Sequence, residues 1–108
     1  MGSVPLTPEL LELIAERFKA LAEPARLKIL NSLRDGEKSV SQLMEATGLG
    51  QANVSKHLQL LHGLGFVDRR KEGLYVHYSL ASRCIDGTHP VVRSYWQLME
   101  RRTAWLPT

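Results

Sequence analysis

The stretch from Gly48 to Leu61, "GLGQANVSKHLQLL", begins as a turn and continues as a helix with two different faces. Val54, Leu58 and Leu61 recur at intervals of four and three residues, which places them on one apolar stripe that faces a core. The polar side chains instead crowd the first two helical turns: Gln51, Asn53, Ser55, Lys56 and His57. The pattern therefore predicts a helix whose front presents a short, weakly basic surface to something outside the core.

Three helices are predicted before this stretch, and the residues at their ends mark them. Thr7 supplies an N-cap for the first helix, which spans residues 8–22, and Pro24 opens the second. Ser39 followed by Gln42 predicts a capping box for a third, short helix that ends near Gly48. Because only about four residues separate the third and fourth helices, the pair is typical of a helix-turn-helix.

After the fourth helix the apolar period changes from 3.6 to 2. The segment "FVDRRKEGLYVHYSL", residues 66–80, predicts a β-hairpin with its turn at Glu72-Gly73 and a basic tip. A final helix is predicted over 91–105. The resulting fold class is mostly α with a β-hairpin: a winged helix-turn-helix of five helices and a two-stranded wing, in a single domain that spans 1–108.

This order of elements predicts binding to double-stranded DNA. A recognition helix enters the major groove with its N-terminal side chains towards the base edges, where amides and hydroxyls can read donors and acceptors. A basic hairpin beside that helix can contact the phosphate backbone or the minor groove. The predicted DNA-binding residues are Gln51, Ala52, Asn53, Ser55, Lys56, His57, Gln59, Arg69, Arg70 and Lys71.

Composition and charge agree with this interpretation without deciding it. The chain has 108 residues, 44% of them apolar and 23% charged, which is typical of a soluble globular protein. The net charge is +3, and the basic excess lies within residues 51–78, whereas residues 8–23 are mainly acidic. No apolar run approaches the roughly 20 residues of a membrane helix. We expect no membrane association and, with a single Cys84 and no export signal at the N-terminus, a cytoplasmic location.

Residues 10–80 resemble the ArsR family of winged-helix repressors. The resemblance rests on Pro24-Ala25-Arg26-Leu27, on Val54-Ser55-Lys56-His57-Leu58, and on Gly65-Phe66-Val67 leading into the wing. It implies a homodimeric repressor that binds a palindromic operator and leaves the DNA when an effector binds. The effector itself is not specified by these motifs.

The metal sites known in that family are not expected to function in this chain. One family site places two cysteines where this sequence has Ser39-Val40-Ser41, and hydroxyls are poor ligands for soft metals. A second family site lies on the last helix, where only His89 and Glu100 match, because Gly87 and Thr103 occupy the other two positions. We therefore predict no metal and no cofactor. A non-metal effector, a redox event at Cys84, weak metal binding at His89 and Glu100, or control by protein level all remain open.

The two terminal helices, residues 8–22 and 91–105, hold more apolar area than a small core can cover. Phe18, Tyr95, Trp96 and Trp105 are candidates for a homodimer interface, since aromatic residues are enriched there. The alternative function is a winged-helix module that only dimerises or binds proteins, without reading DNA. An RNA-binding role is weaker because no aromatic stacking platform is visible. No arrangement typical of catalysis is present, so an enzyme is not expected.

Overall fold

The computed structural model describes residues 7–82, which form four helices and a three-stranded sheet. The elements, in chain order, are α1 Pro8–Leu21, α2 Pro24–Ser32, β1 Lys38–Ser39, α3 Val40–Thr47, α4 Gln51–Gly63, β2 Val67–Glu72 and β3 Tyr75–Leu80. No helix among these residues is long and apolar enough to cross a membrane. The predicted fifth helix, residues 91–105, lies outside the described residues.

The predicted helix ends are confirmed by hydrogen bonds. The hydroxyl of Thr7 accepts from the backbone N–H of Leu10 at 3.1 Å, which caps α1. At α3 the Ser39 hydroxyl accepts from the N–H of Gln42, and the Gln42 side chain accepts from the N–H of Ser39, so the capping box is complete. Gly48 then ends α3 in the left-handed conformation, with φ 77°. Three residues, 48–50, connect α3 to α4.

The end of α4 directs the chain into the wing. Gly65 has φ 83°, and the N–H of Phe66 donates to the carbonyl of Leu61 at 2.9 Å. The N–H of Gly65 donates to the carbonyl of His62 at 3.1 Å, which completes a Schellman motif. Leu61 and Phe66 are both fully buried, so this tight turn also joins the helix to the core.

The wing is an antiparallel hairpin, as predicted, but the prediction of two strands is wrong. The short strand β1 pairs with the outer side of β3, so the sheet has the order β1-β3-β2. Lys38 lies opposite Tyr78, and Ser39 lies opposite His77. A two-residue strand has no detectable period, and its backbone becomes extended because β3 offers it a hydrogen-bonding edge. The hairpin turn is Gly73-Leu74, one residue later than predicted, because Glu72 still pairs with Tyr75 as part of the strand.

The core lies between α2, α3, α4 and the base of the wing. The apolar stripe predicted on α4 is confirmed, because Val54, Leu58 and Leu61 are all fully buried. Eleven buried side chains form one cluster: Ile29, Leu30, Leu33, Leu43, Val54, Leu58, Leu61, Phe66, Val67, Tyr78 and Leu80. In α1, by contrast, Ala20 alone is buried among the described residues. The helix α4 is therefore held by its own apolar stripe, while most of α1 lies on the outside.

Candidate nucleic-acid interface

The first turn of α4 presents its polar residues to solvent. Gln51, Ala52 and Asn53 are exposed, while Val54 directly after them is fully buried. Gly50 is the N-cap, and it has no side chain that could cover the backbone N–H groups of this turn. The front of the helix therefore offers amide side chains and backbone donors in one place.

The second and third turns continue this exposed face. Lys56 and Gln59 are exposed, and they lie four and seven residues after Ala52, so the three positions share one side of the helix. Asn53 lies beside them, three residues before Lys56. Ser55 is half-buried at the margin of this surface. The exposed face of α4 is therefore neutral and hydrogen-bonding except for one cation at Lys56.

His57 differs from the other predicted contact residues, because its ring is turned towards the helices and is half-buried. Its Nδ1 accepts a hydrogen bond from Nε of Arg26 at 3.3 Å, across 31 residues of sequence. Burial lowers the pKa of His57 below its ordinary value, and the neighbouring Arg26 charge adds to the effect. An imidazole whose Nδ1 accepts from Arg26 is neutral and is engaged within the protein.

The basic residues of the wing lie on opposite faces of the sheet. Arg69 lies opposite Tyr78 and Lys71 opposite Val76, so both follow Val67 on the face that continues from the core. Arg70 lies opposite His77 on the other face. Among residues 7–82, no ion pair is formed by Arg69 or Lys71, although Arg70 forms two. One face of the wing therefore carries two cations that form no ion pair with any residue from 7 to 82, and the other face carries the paired Arg70.

Arg70 is held by two carboxylates. Its Nη2 and Nε donate to Glu37, in the loop before β1, and its Nη1 donates to Glu72 on the same strand. These hydrogen bonds raise the pKa of Arg70 above its ordinary value, the contact with Glu37 contributing most. The same contacts lower the pKa of both carboxyl groups. Arg70 can contact a phosphate only by giving up at least part of this pairing.

Arg26 and Glu37 also belong to the candidate interface of α4 and the wing, although the sequence did not predict them there. Arg26 reaches His57 from α2, and Glu37 reaches Arg70 from a loop 33 residues earlier. Arg26 belongs to the motif on which the family resemblance rests, but nothing in that motif indicates its partner. For Glu37 the sequence holds no signal, since an acidic residue after Asp35-Gly36 is typical of any solvated loop.

Within residues 7–82, no group of three or more His, Cys, Asp or Glu side chains could hold a metal ion. Ser39, which stands where the resemblance to the ArsR family predicts a cysteine, is the N-cap of α3, and its hydroxyl accepts a hydrogen bond from the N–H of Gln42. Cys84, His89 and Glu100 lie outside the described residues, and the expectation that this chain uses no metal stays a prediction.

Comparison with known proteins supports both the resemblance to the ArsR family and the winged helix-turn-helix fold. Residues 23–69 match the family described as "Bacterial regulatory protein, arsR family". The chain is 41% identical over 78 residues to the HTH-type transcriptional regulator NmtR of Mycobacterium tuberculosis, covering 72% of this chain and 65% of that protein. It is 39% identical over 66 residues to a probable mercury resistance operon repressor of Streptomyces lividans, covering 61% and 53%. The alignments thus span about half to two thirds of these relatives.

Among solved structures, a winged helix-turn-helix DNA-binding domain of Mb0332 from Mycobacterium bovis matches with a TM-score of 0.72 and 31% identity. The match covers 94% of each chain. That domain is described as homodimeric and as part of a possible ArsR-family transcriptional regulator. This likeness supports a winged helix-turn-helix fold for the present chain.

Proposed function

The chain belongs to the arsR family of bacterial regulatory proteins, and we propose on that basis that it is a sequence-specific, homodimeric transcriptional repressor. The observation that carries the proposal is the division of α4 into a fully buried stripe and an exposed polar front. A helix that only supported a core would gain nothing from grouping amides and a cation at its N-terminal end. Such a front is what a helix requires to read base edges in the major groove.

Each part of the surface has a chemical role in this proposal. Gln51 and Asn53 offer amide groups of the kind that pair with the N6 and N7 atoms of adenine, while Lys56 contacts guanine or a phosphate. Arg69 and Lys71 supply charges without a carboxylate partner among the described residues, so they are the wing residues best placed to neutralise phosphates. Ala52, Ser55, Arg70 and Gln59 complete the proposed interface, whereas His57 contributes through its contact with Arg26.

The proposed homodimer explains the exposed apolar face of α1. Leu11 and Phe18, seven residues apart, lie on one side of α1 and are each about half exposed, while Leu13 is half exposed at the opposite margin of the helix, so an isolated domain leaves much of the apolar area of α1 in water. The Mb0332 domain is described as homodimeric, and two-fold pairing through α1 and residues 91–105 would give this chain two recognition helices. Their separation would be roughly one DNA turn, which implies a palindromic operator.

We place the whole chain, residues 1–108, in one DNA-binding domain that works in the cytoplasm, where its operator would lie.

The signal that releases the protein from DNA is proposed to be a non-metal effector or a redox event at Cys84. The support is the serine pair, Ser39 and Ser41, at the position of a thiolate pair in the family's metal site. The relative from S. lividans is a probable mercury resistance operon repressor, so a test of this proposal must include metals as candidate effectors.

Fluorescence anisotropy with a labelled duplex from the region directly upstream of the protein's own gene tests the function. The Asn53→Ala/Lys56→Ala variant should bind that duplex more weakly by about 1–3 kcal/mol and should lose part of its preference over a scrambled duplex. Lys28→Ala is the matched control, because it removes an equal charge from an exposed position on α2. Equal affinities for wild type and the double variant would favour the protein-interaction module instead.

Sedimentation velocity at low micromolar concentration tests the dimer separately. We expect a species of about twice the 12.2 kDa chain mass. A Phe18→Ser variant should shift the population towards the monomer, because it removes an aromatic group from the proposed interface. A wild-type protein that sediments as a monomer would contradict both the homodimer and the palindromic operator.

A further inference from the structure

Arg26 links three helices through one guanidinium group. It lies in the first turn of α2, and its Nη1 donates to the backbone carbonyl of Ala20 in the last turn of α1 at 3.2 Å. Its Nε donates to Nδ1 of His57 in the middle of α4 at 3.3 Å. Both contacts are partly buried. The side chain therefore connects the end of α1 directly to the helix that carries the polar front.

The two hydrogen bonds of Arg26 depend on the chemistry of both acceptors, the Ala20 carbonyl and Nδ1 of His57. A carbonyl in the last turn of a helix has no intrahelical donor, and an arginine side chain is well suited to supply one. On the other side, Nδ1 can accept only while it carries no proton, so the ring proton must reside on Nε2. The planar guanidinium can serve both acceptors at once, which a lysine ammonium on a flexible stem cannot do with the same geometry.

We propose that Arg26 is a positioning residue that fixes α4 relative to α1 and thereby contributes to operator specificity. The inference rests on the proposed function. Val54, Leu58 and Leu61 bury α4 in the core, whereas α1 contributes one buried residue in the described part, Ala20, and packs Leu21 partly buried against the core, so the Arg26 contacts add a polar attachment between α1 and α4. If α1 pairs the two subunits, its orientation relative to α4 sets the distance between the two recognition helices. Binding to an operator requires that distance to match the helical repeat of DNA, whereas binding to DNA of any other sequence does not.

The link also predicts a pH dependence with a definite sign. The charged groups that act on His57 are Arg26 and Lys56, which lower its pKa, and Glu23, which raises it, while burial has the largest effect and lowers it. His57 is therefore neutral near pH 7, and the hydrogen bond is intact. Protonation below the ordinary histidine pKa of about 6.5 turns Nδ1 into a donor facing another donor, and the link breaks. Specificity should fall as the solution becomes more acidic.

The experiment measures the ratio of affinities for the upstream duplex and a scrambled duplex of equal composition, between about pH 5 and 8. Arg26→Lys retains the charge, and His57→Gln retains an acceptor that does not titrate. We expect Arg26→Lys to lower the ratio at pH 7.5 by about tenfold, the size of one lost hydrogen bond of ordinary strength. His57→Gln should retain much of the ratio and should remove its decline in acid. Circular dichroism melting confirms that each variant is folded.

The possible outcomes separate the positioning role from the function on which it rests. If wild type discriminates and folded Arg26→Lys keeps the full ratio, or if His57→Gln shows the wild-type pH profile, the positioning role is refuted alone. If wild type does not prefer the upstream duplex, that duplex holds no operator, and the same comparison is made with a duplex selected from a random pool. If no selected duplex is preferred either, the proposed function and the positioning role fall together. An unaltered titration of His57 by NMR in Arg26→Lys would contradict the link itself.

Discussion

The ion pairs of Arg70 with Glu37 and Glu72 lead to a prediction about the contact between the wing and DNA. Glu37 and Glu72 hold the guanidinium on the face of the sheet opposite Arg69 and Lys71. Replacing both carboxylates, as Glu37→Gln/Glu72→Gln, removes these ion pairs while leaving side chains of nearly the same shape. Arg70 would then be free to contact a phosphate, so the variant should bind DNA of any sequence more tightly than wild type at low salt.

The size of the effect follows from counting phosphates. Each phosphate that a protein neutralises adds about 0.9 to the slope of log affinity against log salt, so one further contact per subunit adds about 1.8 in a homodimer. Between about 50 and 200 mM salt, an extra slope of that size reduces the advantage of the variant over wild type by roughly tenfold. If the protein binds as a monomer, the extra slope is about 0.9 and the advantage falls only about three- to fourfold over the same salt range.

Fluorescence anisotropy over a salt series with a scrambled duplex measures these slopes. Glu9→Gln/Glu12→Gln is the matched control, because it removes the same charge from exposed positions of α1, and sedimentation velocity verifies that this variant keeps the oligomeric state of the wild type. Adding Arg70→Gln to the first variant should return the slope to the wild-type value. The reasoning is refuted if the control steepens the slope equally, since net charge would then explain the effect. It is also refuted if the triple variant stays steep, since another group would then make the contact.

Three further expectations concern stability and metals. Leu58→Ala removes a fully buried side chain from the α4 stripe and should lower the free energy of unfolding by about 2–5 kcal/mol in urea titrations. Gly65→Ala should destabilise by about 1 kcal/mol because of its φ of 83°, whereas Gly63→Ala, inside α4, should be neutral or slightly stabilising. Calorimetric titration with zinc, nickel and cobalt should show no submicromolar binding that weakens affinity for the upstream duplex. Such binding, if it disappeared in His89→Ala, would show that the metal prediction was wrong.

Each of the two stability expectations has an outcome that would contradict it. A loss below about 1 kcal/mol for Leu58→Ala would mean that the surrounding core collapses around the missing side chain. Equal effects of alanine at Gly63 and Gly65 would mean that the left-handed turn after α4 is not what fixes the start of the wing.

Most of the structure of α3, α4 and the hairpin is determined by short-range information in the sequence. The buried stripe of α4 follows from spacings of three and four residues, and the capping box of α3 joins Ser39 to Gln42 only three positions away. The hairpin follows from a period of 2 and a two-residue turn. These features depend on bonds and contacts within one or two turns of chain, so the local sequence carries nearly all the information that specifies them.

Only the tertiary structure shows the hydrogen bonds, ion pairs and strand pairing that join residues far apart in the sequence. Arg26 meets His57 across 31 residues, and Arg70 meets Glu37 across 33, so no local pattern distinguishes these charges from solvated ones. The strand β1 likewise exists because the edge of β3 is open beside it. The sequence by itself placed a polar, basic surface on α4 and the wing. Packing then determined that His57 turns inward, that Arg70 is ion-paired with Glu37 and Glu72, and that Arg69 and Lys71 have no carboxylate partner in the described part of the chain.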